Sequence, residues 1–459
     1  MPDLRGERVH FVGVGGASMC ALAEYCLLAG AEVSGSDRVL SAATERLASL
    51  GAQVYRGARR DIIARAGLVV RSSAVPLTDE EVALALALGK RVTERHEFLA
   101  AVAEDFRTVA AVAGTHGKTT VTAMTAHILK ECGMSFVAHI GGTPVGMGNL
   151  TVCGGSGELP RELFLTEACE FGRHLTALSP DIAAVVNMEC DHPDCYRDIG
   201  EVHETFAKFV ENCPYVIVRE GDEIICTGAH ITIGEKCSHM EECAYLFSSV
   251  PECGGGQTVT VSSADGTDTF TLPYAGAHYA EDGTFAVALA VTLGADMHRA
   301  CAALSRFKGV TRRCERAGRM CGAEVIFDYA HHPTELACTL DAAESDGSRV
   351  LPVFQPHTYT RTASYLDAFA EVLGAREEVI LLPVYAARER AKAGGTSRDL
   401  AFVIERLFPE CKVHLAVSLD DAWNIALSRA GEYDKVFFLG AGDIYDLKAE
   451  VRGLDDVGG

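Results

Sequence analysis

Val109-Ala110-Ala111-Val112-Ala113-Gly114-Thr115-His116-Gly117-Lys118-Thr119-Thr120 is the stretch on which the fold turns. Its first five residues are small and apolar and read as a buried strand, and the apolar pattern of residues 121–132 reads as a helix. Strand, glycine loop and helix is the arrangement in which backbone N–H groups gather a nucleotide's phosphates at a helix N-terminus. Lys118 adds a mobile positive charge, and the Thr119 hydroxyl suits a Mg²⁺ ion carried by those phosphates. The full phosphate-loop pattern also asks for glycine five residues before Gly117, where this chain has Val112, so an ordinary strand-to-helix turn stands as the alternative.

Downstream, apolar runs at residues 163–165 and 182–186 continue a parallel sheet, whereas residues 215–272 break into short alternating segments that predict an antiparallel annex. Upstream, residues 10–14 read as a strand, Gly15 and Gly16 as a turn, residues 18–29 as a helix and residues 32–37 as a second strand. Further apolar runs lie at residues 68–70 and around Val92, with a helix over 79–88 between them. After Arg313 a third alternation begins: strands at 325–327, 350–354, 379–382 and 436–439, with helices over 333–344 and 364–373. The expected division is 1–106, 107–313 and 314–459, all of α/β class.

A chain of 459 residues is too long for one core and calls for two to four domains. With 48% hydrophobic and 23% charged residues it is expected to fold throughout. A formal net charge of −22 argues against nucleic acid or an anionic membrane as a partner, since both repel such a surface at long range. No apolar run is long enough to span a bilayer, and the charged first eight residues do not resemble a signal peptide, so a cytoplasmic location is expected. The 17 cysteines, among them Cys20, Cys26, Cys301 and Cys338 in apolar surroundings, fit reduced thiols better than disulfides. Two groups, Cys190 with His192 and Cys195, and Cys237 with His239 and Cys243, lack the paired spacing of a structural zinc site.

If Mg²⁺ sits at the glycine loop it needs ligands from neighbouring strand ends, and Glu167 and His192 each follow an apolar strand. Gly13, Gly15, Gly16 and Ser18 form an imperfect dinucleotide fingerprint with Asp37 at the expected distance; it points to a nucleotide diphosphate without separating NAD from a UDP-sugar. In the last third, residues 328–333 and 354–362 follow strands where open sheets gather ligands, although helix caps and turns would use the same residue types. Arg312 and Arg313 either neutralise phosphate or face solvent.

Residues 10–16, 114–120, 187–192, 309–313, 328–335, 354–362 and 440–444 occur in the order and spacing of the Mur ligases, and nearly the whole chain resembles that family. Residues 328–335 and 354–362 are similar to the branch that joins L-alanine to UDP-N-acetylmuramate. The resemblance implies a Rossmann-like N-terminal domain, a phosphate-loop central ATPase domain and a C-terminal α/β domain with a mainly parallel sheet. It implies an ADP-forming ligase working through an acyl phosphate in peptidoglycan precursor synthesis, as a monomer or homodimer; a tripeptide-recycling relative or a catalytically impaired one are its rivals. It assigns Gly114, Thr115, His116, Gly117, Lys118, Thr119, Thr120, Asp282, Arg313 and Asp328 to ATP. Thr119, Glu167 and His192 go to Mg²⁺; Gly15, Gly16, Ser18, Asp37 and Ser72 to the UDP-sugar; and Tyr329, His331, His357 and Arg361 to the amino acid. Lys118, His192, Arg313 and Asp328 would carry the chemistry. One departure stands out: where the family has Gly-x-His-Asn-x-x-Asn, this chain has Gly276, His278, Tyr279 and Asp282, and an ionised aspartate cannot donate to adenine as an amide can.

Overall fold

The computed structural model describes residues 4–155, 158–192, 195–235, 243–252, 255–387 and 389–455. Three sheets follow one another along the chain. The first has five parallel strands in the order Gln53–Arg56, Glu32–Asp37, Arg8–Val12, Leu68–Arg71, Arg91–Glu94. Strand order reverses on either side of Arg8–Val12, which opens a crevice beyond its C-terminal end, where Gly13 and Gly16 lie.

The second sheet has ten strands. Thr108–Ala113 lies inside it, between Ile182–Val185 on one side and Leu163–Glu167 on the other, parallel to both. This is again a switch point, and the loops leaving these three strands lie side by side. Beyond Ile182–Val185 the sheet continues through Tyr215–Arg219, His230–Glu235 and Tyr245–Pro251, all in parallel. The predicted antiparallel annex is therefore shorter than expected: only Gln257–Ser263 and Gly266–Leu272 turn back, forming a hairpin against Tyr245–Pro251. Alternation reports how a strand is buried and not the direction of its neighbour, which explains the error. At the opposite edge Phe136–His139 and Leu150–Cys153 make a second hairpin.

The third sheet has the order Glu315–Met320, Ala323–Asp328, Lys435–Leu439, Val350–Phe354, Glu378–Leu381, Lys412–Leu415 and is parallel except for its first pair. The helix predicted over 364–373 is split at Tyr365 into Tyr359–Ser364 and Leu366–Gly374. Of the two Cys/His groups noted in the sequence, Cys237 and His239 lie outside the described residues. In the other, His192 turns toward Glu170 and Asp191, at 3.4 and 3.7 Å.

The two junctions between sheets differ in chemistry. A single apolar core runs from the first sheet into the second, with the rings of Tyr25, Phe106 and Phe164 packed in sequence, tilted to one another, at 6.3 and 4.9 Å. The third sheet meets the second through polar groups: Arg361 with Asp191 at 2.9 Å, Thr334 with Glu189 at 2.8 Å, and His116 with Glu335 at 3.1 Å. A polar junction can exchange its hydrogen bonds for water on opening, whereas an apolar one cannot.

Within the third sheet, the buried Glu378 carboxylate accepts from Arg429 at 2.8 and 2.9 Å, from the Tyr433 hydroxyl at 2.8 Å and from His414 at 2.6 Å. Burial opposes its charge, but these donors outweigh burial and hold it below the usual carboxylate range. A group whose pKa is lowered by folding stabilises above its unfolded value and loses that contribution as pH falls through the folded value. Glu378→Gln should therefore lower the melting temperature of the C-terminal transition at neutral pH by about 5 °C or more. The gap from the wild type should narrow as pH is lowered below the carboxylate range, which calorimetry across pH reads directly.

Candidate active site

The glycine loop leaves Thr108–Ala113 through left-handed backbone, with φ of 144° at Gly114 and 80° at Gly117, where Gly117 caps the helix Lys118–Glu131. A side chain at Gly117 would also collide with the neighbouring helix, since an added Cβ would lie 2.5 Å from Asp282 Oδ1. Asn187, from the adjacent strand end, fixes the loop by accepting from the His116 N–H at 2.8 Å and donating to its carbonyl at 3.2 Å. Lys118 folds back over the loop: its Nζ donates to the carbonyls of Gly114 and Thr115 at 2.6 and 2.9 Å and pairs with Glu170 at 2.8 Å.

Glu167 and Glu170 follow the next strand. The Thr119 hydroxyl donates to Glu167 at 3.0 Å, and Gly141 N–H donates to the other carboxylate oxygen. Burial raises the Glu167 carboxyl above its ordinary range, and these two donors, with the charges of Lys118 and Arg313, only partly offset it. Hydroxyl, carboxylate and phosphate oxygens are the donor set of Mg²⁺, and Thr119 and Glu167 fit that ion. His192 sits in left-handed backbone, φ 57°, that turns its ring toward Glu170. Glu170 was not singled out in the sequence. Burial opposes its charge, but Lys118 and His192 prevail and lower its pKa.

From the hinge, Arg313, and from the third sheet, Asp328, reach the same region. Both Asp328 oxygens are engaged by backbone, from Cys314 and Ala330 at 2.7 Å each, so Asp328 fixes the crossing between the two domains. Arg313 lies over the Tyr329 ring at 5.0 Å and 3.8 Å from Glu335. Glu335 stands at the third position of the helix Pro333–Glu344, in a capping box with His332. It also faces His116 and His331 at 3.1 Å each. Burial works against a charged His116, yet Glu335 and Glu189 push its pKa up to about 9. Glu335, Glu189 and Asp191 were missed in the sequence; only the capping-box position of Glu335 carried a local signal.

An open cavity of about 650 Å³ runs beside the loop, lined among others by Gly117, His278, Tyr279, Asp282, Arg313 and Asp328. Burial, reinforced by Glu281, raises the Asp282 carboxyl well above its ordinary range. Burial also pushes His278 down to about 4. The departure from the expected asparagines thus faces a pocket next to the glycine loop.

The expected amino-acid residues gather at one corner of the third domain. His331 and His357 meet edge to face at 5.7 Å, and Tyr329 and His331 at 5.3 Å. Arg361 lies 3.4 Å from His357 but is buried against Asp191, which makes it a tie between domains as well. In the first domain, Gly16, Asp37 and Ser72 line one cleft, together with Ala58. Asp37 accepts from the Gly15 N–H at 2.7 Å and so holds the glycine turn. Ser18 stands apart from that cleft lining, bonded to His139 at 2.9 Å and Arg95 at 3.3 Å.

Residues 8–107 match the Mur ligase family, catalytic domain; residues 112–290 the Mur ligase middle domain; and residues 312–442 the Mur ligase, glutamate ligase domain. The chain is 34% identical over 454 residues to a UDP-N-acetylmuramate–L-alanine ligase of Clostridium novyi, covering 96% of each chain. It is also 34% identical over 450 residues to the enzyme of that name from Rubrobacter xylanophilus, covering 95% of this chain and 97% of the relative. The crystal structure of a UDP-N-acetylmuramate–alanine ligase from Thermotoga maritima superposes with a TM-score of 0.82 at 25% identity, covering 98% of this chain and all of that one. A murein peptide ligase from Psychrobacter arcticus shares the fold, with a TM-score of 0.72 at 22% identity over 98% of each chain. With three successive domain matches, relatives of this similarity along almost the full length, and a glycine loop facing a hinge arginine across a polar junction, the chain belongs to the Mur ligase family.

Proposed function

We propose that this chain joins L-alanine to UDP-N-acetylmuramate with conversion of ATP to ADP, as a step in making peptidoglycan precursors. The observation that carries the proposal is the convergence of Lys118, Thr119 and Glu167 from the central domain with Arg313 and Glu335 at the C-terminal junction. Full-length similarity to enzymes named for that reaction supports it. Residues 1–106 would hold the sugar nucleotide, 107–313 the ATP, and 314–459 the amino acid.

A carboxylate acylates poorly, so the sugar's carboxylate first takes the γ-phosphoryl group of ATP; the alanine amine then attacks the acyl carbon and inorganic phosphate leaves. Mg²⁺, held by Thr119 and Glu167 with His192 nearby, would supply charge neutralisation on the phosphates. Lys118 exchanges its bonds to the Gly114 and Thr115 carbonyls for phosphate oxygens, a swing that keeps the ammonium paired throughout. Arg313 compensates the charge that builds on the transferring group. Tyr329, His331, His357 and Arg361 orient the amino acid, and closure of the polar junction keeps water from the acyl phosphate. In the first domain Gly16 would receive the diphosphate at its helix N-terminus, with Asp37 holding the turn and Ser72 lining the same cleft.

Phosphate release from ATP with Mg²⁺, UDP-N-acetylmuramate and L-alanine should require every component and yield the alanyl product. Lys118→Ala should lower kcat by about a hundredfold or more. Release with a tripeptide and not with alanine would replace this reading by that of a recycling ligase; no release from a folded protein that binds the sugar nucleotide would mark an impaired relative. At the adenine end, burial raises the Asp282 carboxyl, and its protonated form can donate one hydrogen bond and accept another, as an amide does. Its donor is lost when pH rises through its elevated pKa. KM for ATP should therefore climb by about three- to tenfold as pH rises through that raised value, the worth of one hydrogen bond, and Asp282→Asn should flatten the rise.

A further inference from the structure

Outside the site just described, three side chains with metal-ligating atoms meet where the first domain packs on the second. Glu94 and His96 stand at the start of the helix Arg95–Ala103, and His174 lies in the short 3-10 segment Phe171–Ala177. The two imidazoles are stacked face to face, 4.0 Å between centroids and 6° between planes. Glu94 Oε1 is 3.3 Å from His96 Nδ1 and 3.4 Å from His174 Nε2. Despite that proximity His96 Nδ1 is buried without a hydrogen bond. The backbone leading to His174 takes left-handed φ of 60° at Gly172 and again at Arg173, where a side chain makes that conformation costly. Gly172 is also constrained by the ring itself, since an added Cβ would lie 2.9 Å from His174 Nε2.

We infer that Glu94, His96 and His174 form a site for a divalent d-block cation of the zinc class, linking the first and central domains. A tetrahedral ion with ligands at about 2.0–2.2 Å separates them from one another by about 3.3–3.5 Å, the spacing Glu94 Oε1 already keeps from both nitrogens. The three ligand atoms lie within 4.8 Å of one another, and because imidazole lone pairs lie in the ring plane, closing the set requires one of the two parallel rings to turn out of the stack. Two imidazoles and one carboxylate are softer than the oxygen set at Thr119 and Glu167, which separates this ion from Mg²⁺. Glu94's other oxygen is held by Arg71, whose second amino group donates to the Val75 carbonyl at 2.9 Å; a ligating carboxylate is usually fixed in this way by an outer hydrogen-bond donor. Burial and the neighbouring His96 push His174 down to about 4, which leaves its ring neutral and able to ligate near neutrality. Arg95 and Arg71 are the cations facing His174, and Arg71 is neutralised by Glu94.

The full chain, stripped with a chelator, should be titrated with Co²⁺ in excess Mg²⁺ and followed by visible d–d absorption. One equivalent should bind with a nitrogen and oxygen spectrum free of thiolate charge-transfer bands, be displaced by Zn²⁺, and raise the melting temperature. His96→Ala and His174→Ala should each weaken Co²⁺ by about tenfold or more, and Glu94→Gln likewise, with metal-free melting held near that of the wild type. His116, Glu189 and His332 form a second group of similar size, so His332→Ala is the control and should leave the spectrum intact. Absence of the band in the wild type, its persistence in both His96→Ala and His174→Ala, or its loss in His332→Ala alone would overturn the assignment. The readout is independent of ligase turnover, so it does not stand or fall with the proposed reaction.

Discussion

Glu335 is held as an anion at the junction by donors from two domains. His116 comes from the glycine loop of the central domain, while His331, Arg313 and two backbone N–H groups come from the hinge and the C-terminal domain. Burying a carboxylate unpaired costs several kcal/mol, and these donors together offset that cost. The glycine loop that carries His116 is itself fixed within the central domain, by its left-handed glycines and by Asn187, so it presents the imidazole to Glu335 from a set position.

Around that point the basic side chains of the junction are already matched with carboxylates: Lys118 with Glu170, His116 with Glu335 and Glu189, Arg313 with Glu335, Arg361 with Asp191. A phosphate or amino-acid carboxylate entering the site competes for these cations. Binding energy is then coupled to rearrangement of the polar junction, which supplies a physical route from ligand binding to domain movement. The junction of the first and second domains cannot respond in the same way, because Tyr25, Phe106 and Phe164 close it with apolar surface. If a metal ion sits at Glu94, His96 and His174, it strengthens the junction that is already the more rigid of the two.

The sequence by itself determined what local geometry dictates. Strand, glycines and helix at residues 109–132 are decided within a few residues, as are the cap before Pro333 and the turn at Gly15 and Gly16, because φ freedom, side-chain period and helix-end donors act at short range. The resemblance of ordered motifs added the family, and with it an expectation for the residues of the ligand sites. Tertiary structure alone decided the direction of Tyr215–Arg219 and His230–Glu235, since alternation is equally compatible with a parallel or an antiparallel neighbour. It alone brought in Glu170, Glu189 and Asp191, whose importance lies in partners such as Thr334 and Arg361, 145 and 170 residues away. It alone set His96 against His174. Charge compensation and ligand geometry depend on distance through space, and a chain fixes that distance only when its domains pack.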